Sequence, residues 1–215
     1  MEPENIASQL RCPNGKEASD VALKMNDANR SVNQKCIELL QIASGDKVLE
    51  IGPGNGAFAA DIVGSAEEVI YTGLDWSADM VAQASQLNSE LLAQGSVNFQ
   101  SGSSDKLPFE PGTFNKILTV HTLYFWEHPA DHLSEIRRVL QPDGLFCIAF
   151  GDRSFMKELP FVPYGFNLYD IPAAQDIMQA VGFRVVDVQK FYETGRSNTG
   201  DIVEKLINIM VGTPQ

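Results

Sequence analysis

The stretch VLEIGPGNGAF, Val48 to Phe58, sets three glycines and a proline directly behind an apolar run that contains one carboxylate, Glu50. The residues before Gly52, KVLEI, read as a strand, and those after Gly56 read as the start of a helix. A strand, glycine turn and helix let backbone pass within contact distance of a ligand, because glycine has no Cβ and tolerates positive φ. Gly52-x-Gly54-x-x-Ala57 also fits the permissive dinucleotide-binding fingerprint that ends in Gly or Ala. Which ligand approaches the turn has to be decided by its neighbours.

Outward from that turn, short apolar strands alternate with amphipathic helical segments. EVIYTGLD reads as a second strand, and SADMVAQASQLNSELLAQG as one helix, capped by Ser77 and stopped at Gly95. VNFQ and FNKILTV read as strands. Pro129 opens the helix PADHLSEIRRVL, and the turn QPDG ends it before the strand LFCIAF. Such alternation implies an α/β fold with a parallel, doubly wound sheet and helices on both faces. Sheets of this kind bind ligands at the C-terminal ends of their strands, where Gly52, Asp75, Ser103 and His121 fall. Further on, PAAQDIMQAVGF reads as a helix stopped at Gly182 and FRVVDVQKFYE as a strand, while DIVEKLINIMVG suits helix or strand by periodicity alone. Before the sheet, Val21, Met25, Val32, Cys36 and Leu39 fall near helical spacing and predict one or two extra N-terminal helices.

A chain of 215 residues supports one core, and a single domain over 1–215 is expected, with a helical cap over 1–45, a cofactor-binding core over 46–150 and an acceptor-side segment with a C-terminal hairpin over 151–215. Lys and Arg number 16 against 28 Asp and Glu, a net charge of −12. The sole basic cluster, Arg137 and Arg138, is too small to offset that charge, so nucleic acid is not an expected partner. No apolar run reaches the roughly 18 residues of a membrane span, and the first residues lack a signal-peptide pattern, so a cytoplasmic protein is expected. Cys12, Cys36 and Cys147 show no CxxC spacing and read as reduced thiols.

Two neighbours of the glycine turn narrow the ligand. Glu50 is a poor companion for an anionic pyrophosphate but a good one for an ammonium group. Pro53 removes a backbone N–H from a loop that phosphate would want rich in donors. Asp75 ends the second strand about 20 residues after the turn, where an acid can accept hydrogen bonds from both ribose hydroxyls. Trp76 offers a surface for a purine. An ammonium, a ribose and a purine without phosphate describe S-adenosylmethionine.

VLEIGPGNGAF, YTGLDWSADMV, GSSDKLPFEPGTFNKILTVHTLYFWEHP and EIRRVLQPDGLFCIAF together resemble, in order, the motifs of class I S-adenosylmethionine-dependent methyltransferases, particularly the small-molecule branch that includes ubiquinone and menaquinone biosynthesis enzymes. The resemblance runs from about Lys47 to Phe150 and more loosely through AAQDIMQAVGFRVVDV. It implies a three-layer Rossmann-like sandwich with a seven-stranded, mostly parallel sheet whose last strand, EKLINIMV, is antiparallel. It also implies that Glu50 and the backbone of Gly52, Pro53, Gly54, Asn55 and Gly56 face the methionine part of the cofactor, that Asp75 and Trp76 meet the ribose and purine, and that the loop Gly102-Ser103-Ser104-Asp105 holds the adenine. Ser103 stands where much of the family has aspartate, so Ser103 takes that role or Asp105 and backbone share it. Asn115, also in place of an aspartate, is expected to be structural.

Methyl transfer needs positioning and exclusion of water more than an acid–base triad. VHTLYFWEHP follows the fourth strand, where the family places residues near the sulfonium and the acceptor. There His121 and Tyr124 are the candidate catalytic residues, His121 as a base that also meets the cofactor, and Tyr124, Phe125 and Trp126 line the pocket with a ring face towards the cation; the alternative is that these aromatics fill core space. By the same resemblance, the absence of an Asn- or Asp-Pro-Pro-Tyr tetrapeptide disfavours methylation of an adenine or glutamine amino group, and the small-molecule branch implies a small-molecule acceptor. His128 and His132 near Asp131 have a spacing compatible with a metal, but a helix N-terminus explains the acid, and no metal is expected. Met25, Asn26 and Asn29 stand in a region that in related enzymes covers the cofactor, or simply packs on the sheet. FMKELPFVPYGFNLYDIP suits an acceptor pocket, a lid or a dimer contact. Competing readings are an NAD(P)-dependent oxidoreductase and a non-catalytic cofactor-binding protein of the same fold.

Overall fold

The computed structural model describes residues 1–196 and 202–215. Two helices come first, α1 (Pro3–Arg11) and the long α2 (Ala18–Leu40). The alternating core follows as β1 (Lys47–Ile51), α3 (Ala59–Val63), β2 (Ile70–Asp75), α4 (Ala78–Leu87), α5 (Ser89–Ala93), β3 (Val97–Ser101), β4 (Phe114–Val120), α6 (Pro129–Val139) and β5 (Leu140–Gly151). The chain ends in α7 (Arg153–Met156), α8 (Ile171–Ala180) and the hairpin β6 (Phe183–Arg196) and β7 (Ile202–Pro214).

The strands form one sheet in the order β3-β2-β1-β4-β5-β7-β6. The first five run parallel, and β7 lies antiparallel between β5 and β6. The ambiguous tail is therefore a strand, as the resemblance implied, because its alternate residues Ile207, Ile209 and Val211 join a core that only an inserted strand can reach. Helices on both faces make the three layers. One face packs under α6 and α8 around Leu49, Leu74, Ile117, Phe146 and Phe150; the other packs under α2 around Val48, Tyr71, Leu118 and Cys147.

Two local expectations differ from the structure. The helix expected from Ser77 to Gly95 is broken at Asn88, whose side-chain amide donates to the carbonyls of Gly56 and Ala84 at 3.1 and 3.0 Å. Asparagine competes locally for backbone groups, and here it ties the break to the glycine turn. The turn QPDG does not lie wholly outside the sheet, for Leu140 already pairs with Phe114 before the register shifts and Leu145 pairs with Lys116. Asn115 stitches this end: its side chain accepts from Lys47 N–H at 2.9 Å and donates to Gln141 at 3.0 Å. Arg137 and Arg138 are likewise structural. Arg137 donates to the carbonyls of Gly182 and Gln215, and Arg138 pairs with Glu135 while donating to the Leu107 and Phe109 carbonyls.

Candidate functional site

β1 runs between β2 and β4, so its C-terminal end opens at the middle of the sheet edge. The turn that follows takes φ of 74°, 57° and 67° at Gly52, Gly54 and Gly56. A Cβ on Gly52 would meet the Thr122 methyl at 2.5 Å, and one on Gly56 would meet the Phe99 ring at 2.8 Å. Both positions thus need glycine for conformation and for space. Asp75 spans the turn and the next helix: one carboxylate oxygen accepts from Gly54 N–H at 2.9 Å and the other from Ser77 N–H at 2.8 Å. Burial raises its pKa, and those backbone bonds hold the rise back. Ser77 caps α4 by accepting from Met80 N–H and donates its own proton to the Pro13 carbonyl, which ties the N-terminal segment to the site.

Glu50 is 4% exposed and points to the α2 face of the sheet. Register pairs it with Gly73, and Tyr71, two residues earlier on the same face of β2, donates its hydroxyl proton to the Glu50 carboxylate at 2.7 Å. Desolvation is the main cause that moves its pKa from 4.5 to about 7; the Tyr71 bond opposes the rise and the Asp75 charge adds to it. A cation arriving beside Glu50 would reverse that shift.

Above Glu50, α2 closes a cavity of about 40 Å³, lined among others by Asn26, Asn29, Asn33, Asn55, Met80 and Val120. Asn26, Asn29 and Asn33 are spaced i, i+3, i+7, one face of a helix. The sequence reading named the first two and missed Asn33 and Tyr71. The asparagine stripe was the available signal for Asn33; Tyr71 could be found only through strand register.

The loop after β3 is anchored by Gly102 N–H to the Asp75 carbonyl at 2.9 Å. Ser103 is partly buried, while the buried Ser104 turns its hydroxyl away to His132 Nδ1 at 2.7 Å. The His132 ring stacks on Trp126 with centroids 4.8 Å apart, so both belong to the wall between loop and α6. Trp76 is 52% exposed, and the Arg11 guanidinium lies 5.2 Å from its ring centre. Among the described residues no group of three His, Cys, Asp or Glu side chains is arranged to hold a metal, and no helix is long and apolar enough to cross a membrane.

His121 sits one residue past β4 with φ of 60°, a strained value for a non-glycine residue. Its Nδ1 lies 2.7 Å from the Tyr124 hydroxyl, which also accepts from Gly151 N–H. Burial, with the Lys205 charge behind it, pushes His121 down to about 4, and burial raises the Tyr124 phenol. Both are neutral at pH 7. Gly151 N–H donates to the phenol oxygen; in the tautomer that gives the phenol proton an acceptor, it goes to Nδ1 and the imidazole proton lies on Nε2. Tyr124 packs against Phe125 and Phe166, and Phe125 against Phe166 at 4.8 Å, so these aromatics join the core beneath α6 and α8. The segment after Phe155 feeds the same cluster through Phe161, Leu168 and Tyr169, leaving Tyr164 exposed.

The family profile described as a methyltransferase domain matches residues 49–148. The putative methyltransferase YrhH of Bacillus subtilis is 31% identical over 133 residues, 62% of this chain and 73% of that protein. The chain belongs to the S-adenosylmethionine-dependent methyltransferases. Two solved structures share the fold of this methyltransferase. One is a putative methyltransferase complexed with the Trm112 methyltransferase activator of Haloferax volcanii, with TM-score 0.76, 16% identity and 97% of each chain covered. The other is an S-adenosylmethionine-dependent methyltransferase of Aquifex aeolicus, with TM-score 0.70, 18% identity, 94% of this chain and 100% of that one.

The residues present fit that cofactor. Glu50 is a buried acid whose burial a cation would relieve, and the side-chain oxygens of Asn33 and Asn55 beside it are buried with no partner among the described residues. Asp75 has lone pairs left beyond its two backbone bonds, and the loop after β3 is tied to its carbonyl. The nicotinamide reading loses its ground with the family assignment and with this acidic pocket.

Proposed function

We propose that this methyltransferase methylates a small molecule whose acceptor atom is already nucleophilic at neutral pH, such as a carboxylate or an acidic phenolate. The His121–Tyr124–Gly151 network carries this reading. An imidazole titrating at about 4, with its Nδ1 occupied by the phenol proton, is a poor base near pH 7. Its Nε2–H is a donor, suited to orienting an anionic oxygen. The Lys205 charge, itself paired with Glu193 at 3.6 Å, is the second cause after burial that disfavours the imidazolium.

When bound, S-adenosylmethionine supplies a methyl group on a positively charged sulfur, which an in-line nucleophile displaces. In this reading Glu50 and the turn from Gly52 to Gly56 hold the amino-acid end, Asp75 the ribose, and the Ser103–Ser104 backbone the adenine. Trp76 receives the purine once Arg11 yields its place. Helix α2 excludes water, and His121 orients the acceptor. Much of the acceleration then comes from alignment and desolvation.

Isothermal titration with S-adenosylmethionine and S-adenosylhomocysteine, with NADH as control, tests the cofactor part. Micromolar binding of the sulfur ligands is expected, lost in Asp75→Ala, with none for NADH. An acceptor panel of carboxylic acids, phenols, aliphatic alcohols and amines, read by S-adenosylhomocysteine release, tests the rest. Turnover only with aliphatic alcohols, rising steeply with pH, would refute the proposed role of His121.

A further inference from the structure

Residues 102–113 join β3 to β4 with no helix or strand of their own, so they take their position from what they touch. Helix α6 holds them at successive turns. His132 Nδ1 meets the Ser104 hydroxyl at 2.7 Å, Glu135 accepts from Leu107 N–H at 2.8 Å, and Arg138 donates to the carbonyls of Leu107 and Phe109 at 3.0 and 2.8 Å. Of the three, the His132 bond acts closest along the chain to the C-terminal end of β3, where Ser101 pairs with Asp75 and Gly102 N–H donates to the Asp75 carbonyl. Among the described residues it is also the one side-chain hydrogen bond between α6 and the stretch Gly102 to Asp105. Ser104 is 5% exposed and its hydroxyl is engaged by the imidazole, so its backbone is what it offers a ligand. The imidazole is itself fixed. Its ring lies flat on that of Trp126, with centroids 4.8 Å apart and planes 4° from parallel, and Trp126 is 4% exposed. Trp126 N–H donates to the Leu123 carbonyl at 3.3 Å, and the Asn167 amide donates to the Trp126 carbonyl at 3.2 Å. Holding a ring in one rotamer costs side-chain entropy, which the bond and the stack together offset.

We infer that His132 is a positioning residue for recognition of the cofactor base: by holding the Ser104 side chain while resting on Trp126, it fixes the Ser103–Ser104 backbone in the place where adenine is read. The inference rests on the cofactor reading above and deepens it. His132 touches no ligand in this arrangement; it acts through Ser104. Backbone groups in a loop discriminate between bases only when they are held to about 0.5 Å, and a loop without secondary structure has to borrow that rigidity from its neighbours. Two features of the ring have separate roles. Nδ1 supplies the bond, and the flat face supplies the anchorage on Trp126. Substitution separates them. Phe keeps the face and loses the bond, whereas Asn places an amide oxygen where the imidazole has Nδ1, so it keeps the bond and loses the face.

Calorimetric titrations of the full chain with S-adenosylhomocysteine and S-inosylhomocysteine test this, because the two share their amino-acid and ribose ends and differ only in the Watson–Crick edge of the base. Wild type should bind S-adenosylhomocysteine at least about tenfold more tightly, since the wrong base leaves polar groups unpaired. His132→Phe should weaken S-adenosylhomocysteine about fivefold, the scale of one hydrogen bond, and leave S-inosylhomocysteine within about twofold, so that selectivity narrows. His132→Asn should bring S-adenosylhomocysteine back to within about twofold of wild type. Ser104→Ala should reproduce the His132→Phe loss and serves if that variant does not fold; the double variant should lose no more than either single one, as two ends of one contact require. Equal binding of the two ligands by wild type would overturn the inference. So would unchanged selectivity in a folded His132→Phe, an equal fall for both ligands, no recovery in His132→Asn, or additive losses in the double variant. Binding of neither ligand would instead overturn the cofactor-site reading on which the inference rests.

Discussion

Replacing Glu50 by Gln should make the protein more stable and a worse binder of its cofactor, with both effects set by pH. In the folded chain the Glu50 carboxyl titrates at about 7 rather than 4.5. Because the folded pKa lies above the unfolded one, ionisation opposes folding. The penalty is absent below pH 4.5, grows as pH rises from there towards 7, and is complete above it. At 1.36 kcal/mol per pH unit the gap corresponds to about 3 kcal/mol. Gln has nearly the same volume and its carbonyl can still accept from Tyr71, so Glu50→Gln should gain up to ~3 kcal/mol over wild type at pH 8 and almost nothing at pH 4.5. Against that, in the proposed binding mode the variant loses a charged partner for the cofactor ammonium, ~1.5–3 kcal/mol, or an affinity loss of roughly 10- to 150-fold. Urea unfolding of the ligand-free protein at pH 5 and pH 8, with calorimetric titration of S-adenosylhomocysteine at pH 8, measures both. Equal or lower stability of Glu50→Gln at pH 8, or undiminished affinity, would refute the reasoning.

Other expectations follow from the same contacts. In wild type, affinity for S-adenosylhomocysteine should fall by up to about tenfold per pH unit below about 7, because the ammonium must displace the Glu50 proton; titrations between pH 5.5 and 8.5 would read this. Asp75→Asn leaves either Gly54 or Ser77 N–H facing an amide NH₂ instead of an acceptor, so unfolding free energy should drop by ~1–3 kcal/mol and cofactor affinity by more than about tenfold, read by denaturation and calorimetry. Gly56→Ala, at φ of 67° with the Phe99 ring 2.8 Å from the new methyl, should destabilise by ~2 kcal/mol or more in urea denaturation. The His121 ring resonances should titrate near pH 4 in the folded protein. Since that pKa lies below the unfolded 6.5, neutral His121 supports folding above pH 6.5, and this support is lost as pH falls towards 4.

Much of this protein was legible in local sequence, where local sequence contains the cause. Glycine spacing after KVLEI, the cap at Ser77, Pro129 at a helix start and the stop at Gly182 are short-range steric and hydrogen-bonding choices. With the strand–helix alternation they determined a doubly wound sheet and placed Gly52, Asp75 and Glu50 at the C-terminal ends of its strands. The tail was undecided because Leu206 to Val211 is apolar enough for either period; only the open place beside β5 made it a strand. The helix break at Asn88 depended on the Gly56 carbonyl, 32 residues away in sequence. Likewise, Tyr71 met Glu50 through register between β1 and β2, and Asn33 met it because α2 folds back across the sheet. His121 looked like a base from its residue type, but the Tyr124 hydroxyl and desolvation decided where its proton resides. Sequence thus determined which groups were present at the edge of the sheet. Tertiary structure decided their protonation and their partners, because burial and hydrogen bonds between distant segments exist only once the chain has folded.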